Sequence, residues 1–299
     1  MAEYSFETLD VFTVERFGGN PLAVVFDADG LTPDQMQIIA REFNLSETTF
    51  VLSPEQAGHQ AKVRIFTPTL EMPFAGHPTL GTAIALARKD GVVGEAELVL
   101  ELGVGPVGVK VNIDGERSHA QLTAAKLPEE VAGVETSDVF AKALSLETSD
   151  IGFGQHQPHI FDIGPLFTFV PVSNLEAIGR AQINSAIYNE TLANSVAPFL
   201  FVYTDEVESE NVAFHARMFA PTAGVVEDPA TGSAVTGFAG QLLASGEIAD
   251  VTQTWIIEQG IEMGRPSELH LETTAEDGVI TAVRVAGFAV RVSSGVLQV

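Results

Sequence analysis

RIFTPTLEMPFAGHPTLG, at residues 64–81, is the most informative stretch of the chain, because it is repeated in altered form as RMFAPTAGVVEDPATGSAVTG at residues 217–237. When three residues are removed from the second copy, eight pairs coincide: Arg64 with Arg217, Phe66 with Phe219, Pro68 with Pro221, Thr69 with Thr222, Glu71 with Glu227, Pro73 with Pro229, Gly76 with Gly232 and Gly81 with Gly237. Two copies of one strand–loop–helix unit, about half the chain apart, predict two similar domains that face each other. The copies differ at a few polar positions, and we expect those differences to define a site between them.

A segment without charge follows each copy's central glycine. HPTLGTAIALA (77–87) and SAVTGFAGQLLAS (233–245) contain no charged residue and have helical character. A helix that is apolar on every side is a buried one. Each half is therefore predicted to wrap a short-stranded sheet around one central helix, which gives an α+β fold.

Other patterns predict single elements. Thr32 and Pro33 are typical of a helix start, and the helix is predicted to continue to about Phe43. Residues 173–188 also suit a helix, and residues 199–204 a strand.

The composition excludes several classes of protein. The chain has 299 residues, which suits two domains, and no uninterrupted apolar run predicts a membrane-spanning helix. Its N-terminal residues are acidic where a signal peptide is basic, and it has no cysteine, so we expect a cytoplasmic protein without thiolate chemistry. The net charge of −25 argues against binding to nucleic acid or to an anionic membrane. Metal-ligand spacings, a P-loop and a dinucleotide fingerprint are absent from the sequence, so no metal or cofactor is predicted.

The two predicted helix starts are candidate anion sites. A buried helix leaves its first N–H groups unpaired and has an electropositive N-terminus. Gly76 with His77, and Gly232 with Ser233, stand at these starts, where glycine lets a ligand approach the backbone. The alternative is that the glycines only permit tight turns. Two matched loops favour a bound carboxylate or a developing enolate oxygen.

Three side chains are candidates for proton transfer, and each has a structural alternative. His77 could relay or position a proton beside a carboxylate, or could be a buried structural residue. Asp228 replaces the apolar Met72 of the first copy, although aspartate before proline is also common in turns. Glu47 lies in NLSETTFV (44–51); burial in an apolar cleft would suit it to proton transfer, and an exposed loop carboxylate is the alternative.

Four motifs in this order resemble those of the phenazine-biosynthesis PhzF-like family of isomerases. They are FGGNPLAVV (17–25), NLSETTFV (44–51) and the two glycine loops. The resemblance implies the diaminopimelate-epimerase-like fold: two similar domains, each a curved, mostly antiparallel sheet around a central apolar helix, with the active site at the domain interface. It also implies a homodimer. Because the last strands of this fold tend to return to the first domain, we expect domains at 1–116 with about 285–299, and at 117–284.

The resemblance also assigns roles. Glu47 matches the family's general acid/base. The other matching residues surround the substrate and the proton path or form the backbone anion sites: His77, Asp228, Ser233, Gly76 and Gly232. The family's reference reaction is a cofactor-free isomerisation of a dihydro-hydroxyanthranilate, in which a proton moves between ring carbons. The substrate does not transfer with the fold.

Three functions remain open from the sequence. The first is an isomerase without a cofactor that moves a proton between carbons of a small carboxylic acid. The second is an epimerase or racemase of an amino or hydroxy acid. The third is a metabolite-binding protein without catalytic activity.

Overall fold

The computed structural model describes residues 1–115 and 117–299, and the chain forms two units. The first contains Met1–Thr123 and Ala286–Val299, and the second contains Ala124–Val285. The boundary predicted after residue 116 falls on Glu116, which lies outside the described residues.

The first unit holds the N-terminal elements. They are β1 (Glu3–Val11), β2 (Asn20–Val25), α1 (Pro33–Phe43), β3 (Glu47–Leu52), β4 (Ala61–Phe66), β5 (Glu71–Met72), α2 (Gly76–Lys89), β6 (Gly94–Leu102), β7 (Gly105–Ile113) and β8 (Ser118–Thr123). Neighbouring strands follow the order β1-β2-β3-β4-β6-β7-β8. They are antiparallel except for the parallel pairs β2 with β3 and β4 with β6.

The second unit repeats this pattern. Its elements are β9 (Glu129–Val131), α3 (Ser137–Ala143), β10 (His159–Asp162), β11 (Leu166–Pro171), α4 (Leu175–Arg180), α5 (Ser185–Thr191), β12 (Phe199–Thr204), β13 (Phe214–Ala220), β14 (Val225–Asp228), α6 (Gly232–Ala244), β15 (Thr252–Gln259), β16 (Ser267–Glu276) and β17 (Val279–Gln298). Its strand order is β9-β10-β11-β12-β13-β15-β16, with β11–β12 and β13–β15 parallel. The C-terminal part of β17 belongs to the first unit, where it pairs with β1. The predicted α+β fold of two similar units is confirmed.

The two central helices are as buried as their sequences predict. Every residue from His77 to Ala87 of α2 is buried, and the helix packs against β1, β2, β3, β6, β7 and β8. Helix α6 packs against β10, β11 and β16. Close approach to the sheet requires a small residue, because a Cβ atom on Gly81 would lie 2.6 Å from Leu22 Cδ2. Neither helix, nor any other in the described ranges, has the length and apolarity of a membrane span.

Two of the three predictions of single elements are confirmed and one is wrong. The strand predicted over 199–204 is β12, Phe199–Thr204. Helix α1 begins where Thr32 predicts, with a capping box in which Thr32 Oγ1 accepts the backbone N–H of Gln35 at 3.3 Å. The single helix predicted over 173–188 is wrong, since the segment forms the short helices α4 and α5. Asn184 leaves helical geometry and accepts the N–H of Ile187 at 3.3 Å, so a residue inside the predicted helix instead starts a new one.

Candidate active site

Glu47 and His77 form the centre of the candidate site in the first unit. Glu47 is the first residue of β3, where it lies beside Leu22 of the parallel strand β2. His77 is in the first turn of α2. Glu47 Oε2 lies 3.1 Å from His77 Nε2, and the two side chains are only 15% and 7% exposed. The structure thus brings together two of the residues that the sequence predicts for proton transfer.

The start of β2, at the end of the FGGNP turn, determines which His77 nitrogen carries hydrogen. His77 is hydrogen-bonded to the backbone of Pro21, and because proline has no N–H, the ring donates to the Pro21 carbonyl oxygen. Since Nε2 faces Glu47, this donor is Nδ1. The turn is held tightly in place, since Gly19 has a φ of +59° and a Cβ atom there would lie 2.3 Å from the Val11 carbonyl oxygen. This positioning role of the FGGNP turn was not predicted from the sequence.

His77 is neutral at physiological pH. Burial lowers its pKa from 6.5 to about 3, although the bond to the Pro21 carbonyl acts in the opposite direction. With hydrogen on Nδ1, Nε2 presents a lone pair to Glu47. The histidine is therefore suited to accept a hydrogen bond from a protonated Glu47.

The starts of the two central helices lack side-chain caps. Helix α2 begins at Gly76 after Ala75, and α6 begins at Gly232 after Thr231; neither preceding residue caps the helix with its side chain. Both ends therefore have the backbone N–H groups and dipole orientation that bind an anion. Ser233, half-buried, lies in the first turn of α6.

Asp228 lies at the end of β14, immediately before the loop that leads into α6. Its Oδ2 accepts a hydrogen bond from Thr231 Oγ1 at 2.5 Å. Gln259 binds the same loop: its side-chain amide donates to the Asp228 carbonyl oxygen at 2.7 Å and accepts from the Thr231 N–H at 3.1 Å. Sequence reasoning missed Thr231 and Gln259. A signal for Thr231 was present, because it replaces Ala75 of the first copy.

The charged residues shared by the two copies have a structural role. The Arg64 guanidinium donates to both Glu71 oxygens at 2.7 and 2.6 Å, and that of Arg217 to both Glu227 oxygens at 2.8 and 2.9 Å. These repeated Arg–Glu pairs therefore brace each loop.

The strand register identifies the second-unit position that corresponds to Glu47. Thr48 pairs with Phe66, and Leu200 pairs with Phe219, so Thr48 corresponds to Leu200 and Glu47 to Phe199. Matching Phe50-Val51 with Phe201-Val202 along the sequence makes Pro198 the counterpart of Glu47, and the strand pairing corrects this by one residue to Phe199. The second unit has no acid at this position in either register. Among the described residues, no group of histidine and carboxylate side chains is arranged to hold a metal ion.

A family model described as phenazine biosynthesis-like protein matches residues 9–295. The chain belongs to this PhzF-like family. It is 45% identical over 293 residues to an uncharacterized isomerase of Mesorhizobium japonicum, covering 96% of each chain. It is 36% identical over 298 residues to the trans-2,3-dihydro-3-hydroxyanthranilate isomerase of Pseudomonas fluorescens, covering 98% of this chain and 99% of the relative.

A solved structure confirms the fold of this PhzF-like chain. The PhzF family protein of Bacillus anthracis superposes with a TM-score of 0.89 at 27% identity, covering 100% of both chains. The chain therefore belongs to an isomerase family and has that family's fold over its whole length.

Proposed function

We propose that this protein is a cofactor-independent isomerase that moves a proton between carbons of a small carboxylic acid, with Glu47 as the general acid/base. The contact between Glu47 and His77 carries the proposal. A carboxyl group within 3.1 Å of a buried, neutral imidazole has a partner for the proton that it must hold during the reaction.

The pair gives a protonated Glu47 a hydrogen-bond acceptor. Glu47 Oε2 lies 3.1 Å from His77 Nε2, whose lone pair can accept a hydrogen bond once the carboxyl group carries a proton. As the carboxylate, Glu47 can take a proton from carbon; it then holds the proton in a hydrogen bond to Nε2 and returns it to another carbon. His77 keeps Glu47 in one orientation while the proton is held.

The other predicted site residues fit substrate binding. We assign the uncapped backbone N–H groups at Gly76 and Gly232 to the substrate carboxylate or to a developing enolate oxygen. Ser233 supplies a hydroxyl in the first turn of α6, and Asp228 supplies the second unit's carboxylate. These roles are supported by the position of each residue within its own loop.

The first substrate to test is trans-2,3-dihydro-3-hydroxyanthranilate, because the Pseudomonas fluorescens relative is named for its isomerisation. The purified protein is incubated in D₂O with this compound and, separately, with aliphatic and aromatic carboxylic acids. NMR then identifies the carbon that gains deuterium. Deuterium at a different carbon supports the isomerase, whereas inversion at the original carbon supports an epimerase.

Glu47→Gln tests the proposed base. The change keeps the size of the side chain and removes its ability to carry a proton, so we expect kcat to fall by about 10²–10⁴-fold with little change in KM. Glu42→Gln is the matched control, because Glu42 is exposed in the adjacent helix α1. Unchanged turnover by E47Q would exclude Glu47 as the acid/base. A carboxylic acid that raises Tm but is never converted would favour a binding protein.

A further inference from the structure

The Asp228 loop contains a closed set of polar contacts, formed by Asp228, Thr231 and Gln259. Gln259 Nε2 lies 3.2 Å from Thr231 Oγ1, and that hydroxyl in turn donates to Asp228 Oδ2 at 2.5 Å. Gln259 is completely buried and Thr231 is 7% exposed. Because the amide nitrogen only donates, the Thr231 hydroxyl accepts from it and directs its own hydrogen to the carboxylate.

The first unit provides an internal reference without these contacts. The parallel strand pairs have the same register in both units: Lys62 pairs with Glu101 and His215 with Glu258, and the next residues along β6 and β15 are Leu102 and Gln259. These two residues therefore occupy equivalent positions.

The glycines that follow Leu102 and Gln259 confirm that these two positions are equivalent. A Cβ atom on Gly103 would lie 2.8 Å from Pro73 Cα, and one on Gly260 would lie 2.6 Å from the Pro229 carbonyl oxygen. Pro73 and Pro229 are themselves paired in the sequence repeat.

All three members of the polar set replace apolar residues. Asp228 stands where the first unit has Met72, Thr231 where it has Ala75, and Gln259 where it has Leu102. The first unit builds the same loop and the same helix start with these apolar residues, so the polar set is not required by the backbone. Buried polar groups without partners would cost free energy, and here each one is satisfied by another member of the set.

The Thr231 side chain does not cap helix α6. It precedes the first residue of α6, where a threonine side chain commonly caps the helix, yet it makes no capping hydrogen bond. Its hydroxyl binds the Asp228 carboxylate instead. The residue therefore fixes the carboxylate and leaves the start of α6 without a side-chain cap.

We propose that Thr231 and Gln259 are positioning residues that fix the Asp228 carboxylate for the reaction. Gln259 fixes the backbone of the loop and the hydroxyl of Thr231, and Thr231 fixes the carboxylate oxygen. This inference rests on the proposed function, in which Asp228 belongs to the site.

Thr231→Val tests the inference, because valine keeps the shape of threonine and removes the hydroxyl. We expect kcat to fall by about 10–100-fold, the effect of losing one hydrogen bond to a charged group, with KM and Tm nearly unchanged. Thr231→Ser restores the hydroxyl and is expected to recover most of kcat. Thr236→Val is the matched control: Thr236 is a buried threonine of α6 whose hydroxyl donates to the Gly232 carbonyl oxygen at 3.3 Å.

Crystal structures of T231V and of Gln259→Leu test the same claim without turnover. We expect the Asp228 carboxylate to leave its wild-type position in both variants. An unmoved carboxylate in both, or equal losses of kcat in T231V and T236V, would overturn the inference. Failure of the proposed function is recognised separately, because E47Q would then be as active as the wild type whatever the result for Thr231.

Discussion

At the scale of single residues, His77 and Glu47 show how burial changes chemistry. A histidine in water has a pKa of about 6.5 and changes its charge near neutral pH. Here the surrounding apolar residues disfavour its charged form, and its pKa falls to about 3. The neutral ring is thereby suited to accept a hydrogen bond from a neighbouring acid, which keeps the proton. The sequence predicted that His77 and Glu47 are important, but their contact depends on how α2 packs against β3.

The pKa of His77 predicts part of the acid sensitivity of the fold. The folded protein leaves His77 unprotonated down to pH of about 3, whereas the unfolded chain binds that proton below about 6.5. The free energy of unfolding should therefore decrease as the pH falls from 6.5 toward 3. In His77→Asn this decrease should be smaller, as measured by urea unfolding at a series of pH values. Equal pH dependence in both proteins would contradict the assignment.

At the scale of elements, the central helices carry the duplicated part of the fold. Both begin at a glycine and each is packed closely against its own sheet. A second glycine in each helix, Gly81 or Gly237, sets this distance, since a Cβ atom on Gly237 would lie 2.8 Å from Phe169 Cζ. The sequence repeat predicted these helices because residue spacing and apolarity are local properties.

Gly81→Ala is expected to destabilise the protein although alanine favours helices. The added methyl would lie 2.6 Å from Leu22 Cδ2 and 2.7 Å from Val11 Cγ2, and both side chains are completely buried. We expect a loss of about 1–3 kcal/mol in the free energy of unfolding. Gly179→Ala, in helix α4 with no atom within 4 Å of its Cβ position, should be neutral or up to about 1 kcal/mol stabilising. Chemical denaturation measures both, and equal effects would contradict the packing argument.

At the scale of the whole molecule, a second buried histidine opposes the first in its pH response. His215 contacts Glu258 at 2.9 Å and Glu262 at 3.0 Å through its two ring nitrogens. Burial acts to lower its pKa, but the hydrogen bonds to the two carboxylates outweigh burial and raise the pKa to about 9. The surroundings thus lower the pKa of His77 and raise that of His215.

His215 should therefore stabilise the fold at neutral pH and lose this effect in alkali. The folded protein keeps the His215 proton up to pH of about 9, and the unfolded chain releases it above about 6.5. The contribution is complete below pH 6.5 and disappears as the pH rises through 9. Because His77 acts in acid, the combined contribution of these two histidines to stability should be largest near pH 6.5. His215→Gln should flatten the alkaline side, as measured by urea unfolding at a series of pH values; an unchanged alkaline side would contradict the assignment.

The sequence alone predicts the duplicated α+β architecture, the two buried helices, the family, and Glu47, His77 and Asp228 as candidate site residues. These follow from spacing, apolarity and residue type, which are readable along the chain. Cytoplasmic location and a homodimer stay predictions. Which of these residues contact each other depends on the tertiary structure. Strand pairing makes Phe199 the residue of the second unit that corresponds to Glu47. The Pro21 carbonyl that orients His77 and the Gln259 side chain that holds the Asp228 loop each join segments that are apart in the sequence. Such contacts depend on strand pairing and helix packing, which single-sequence patterns do not encode.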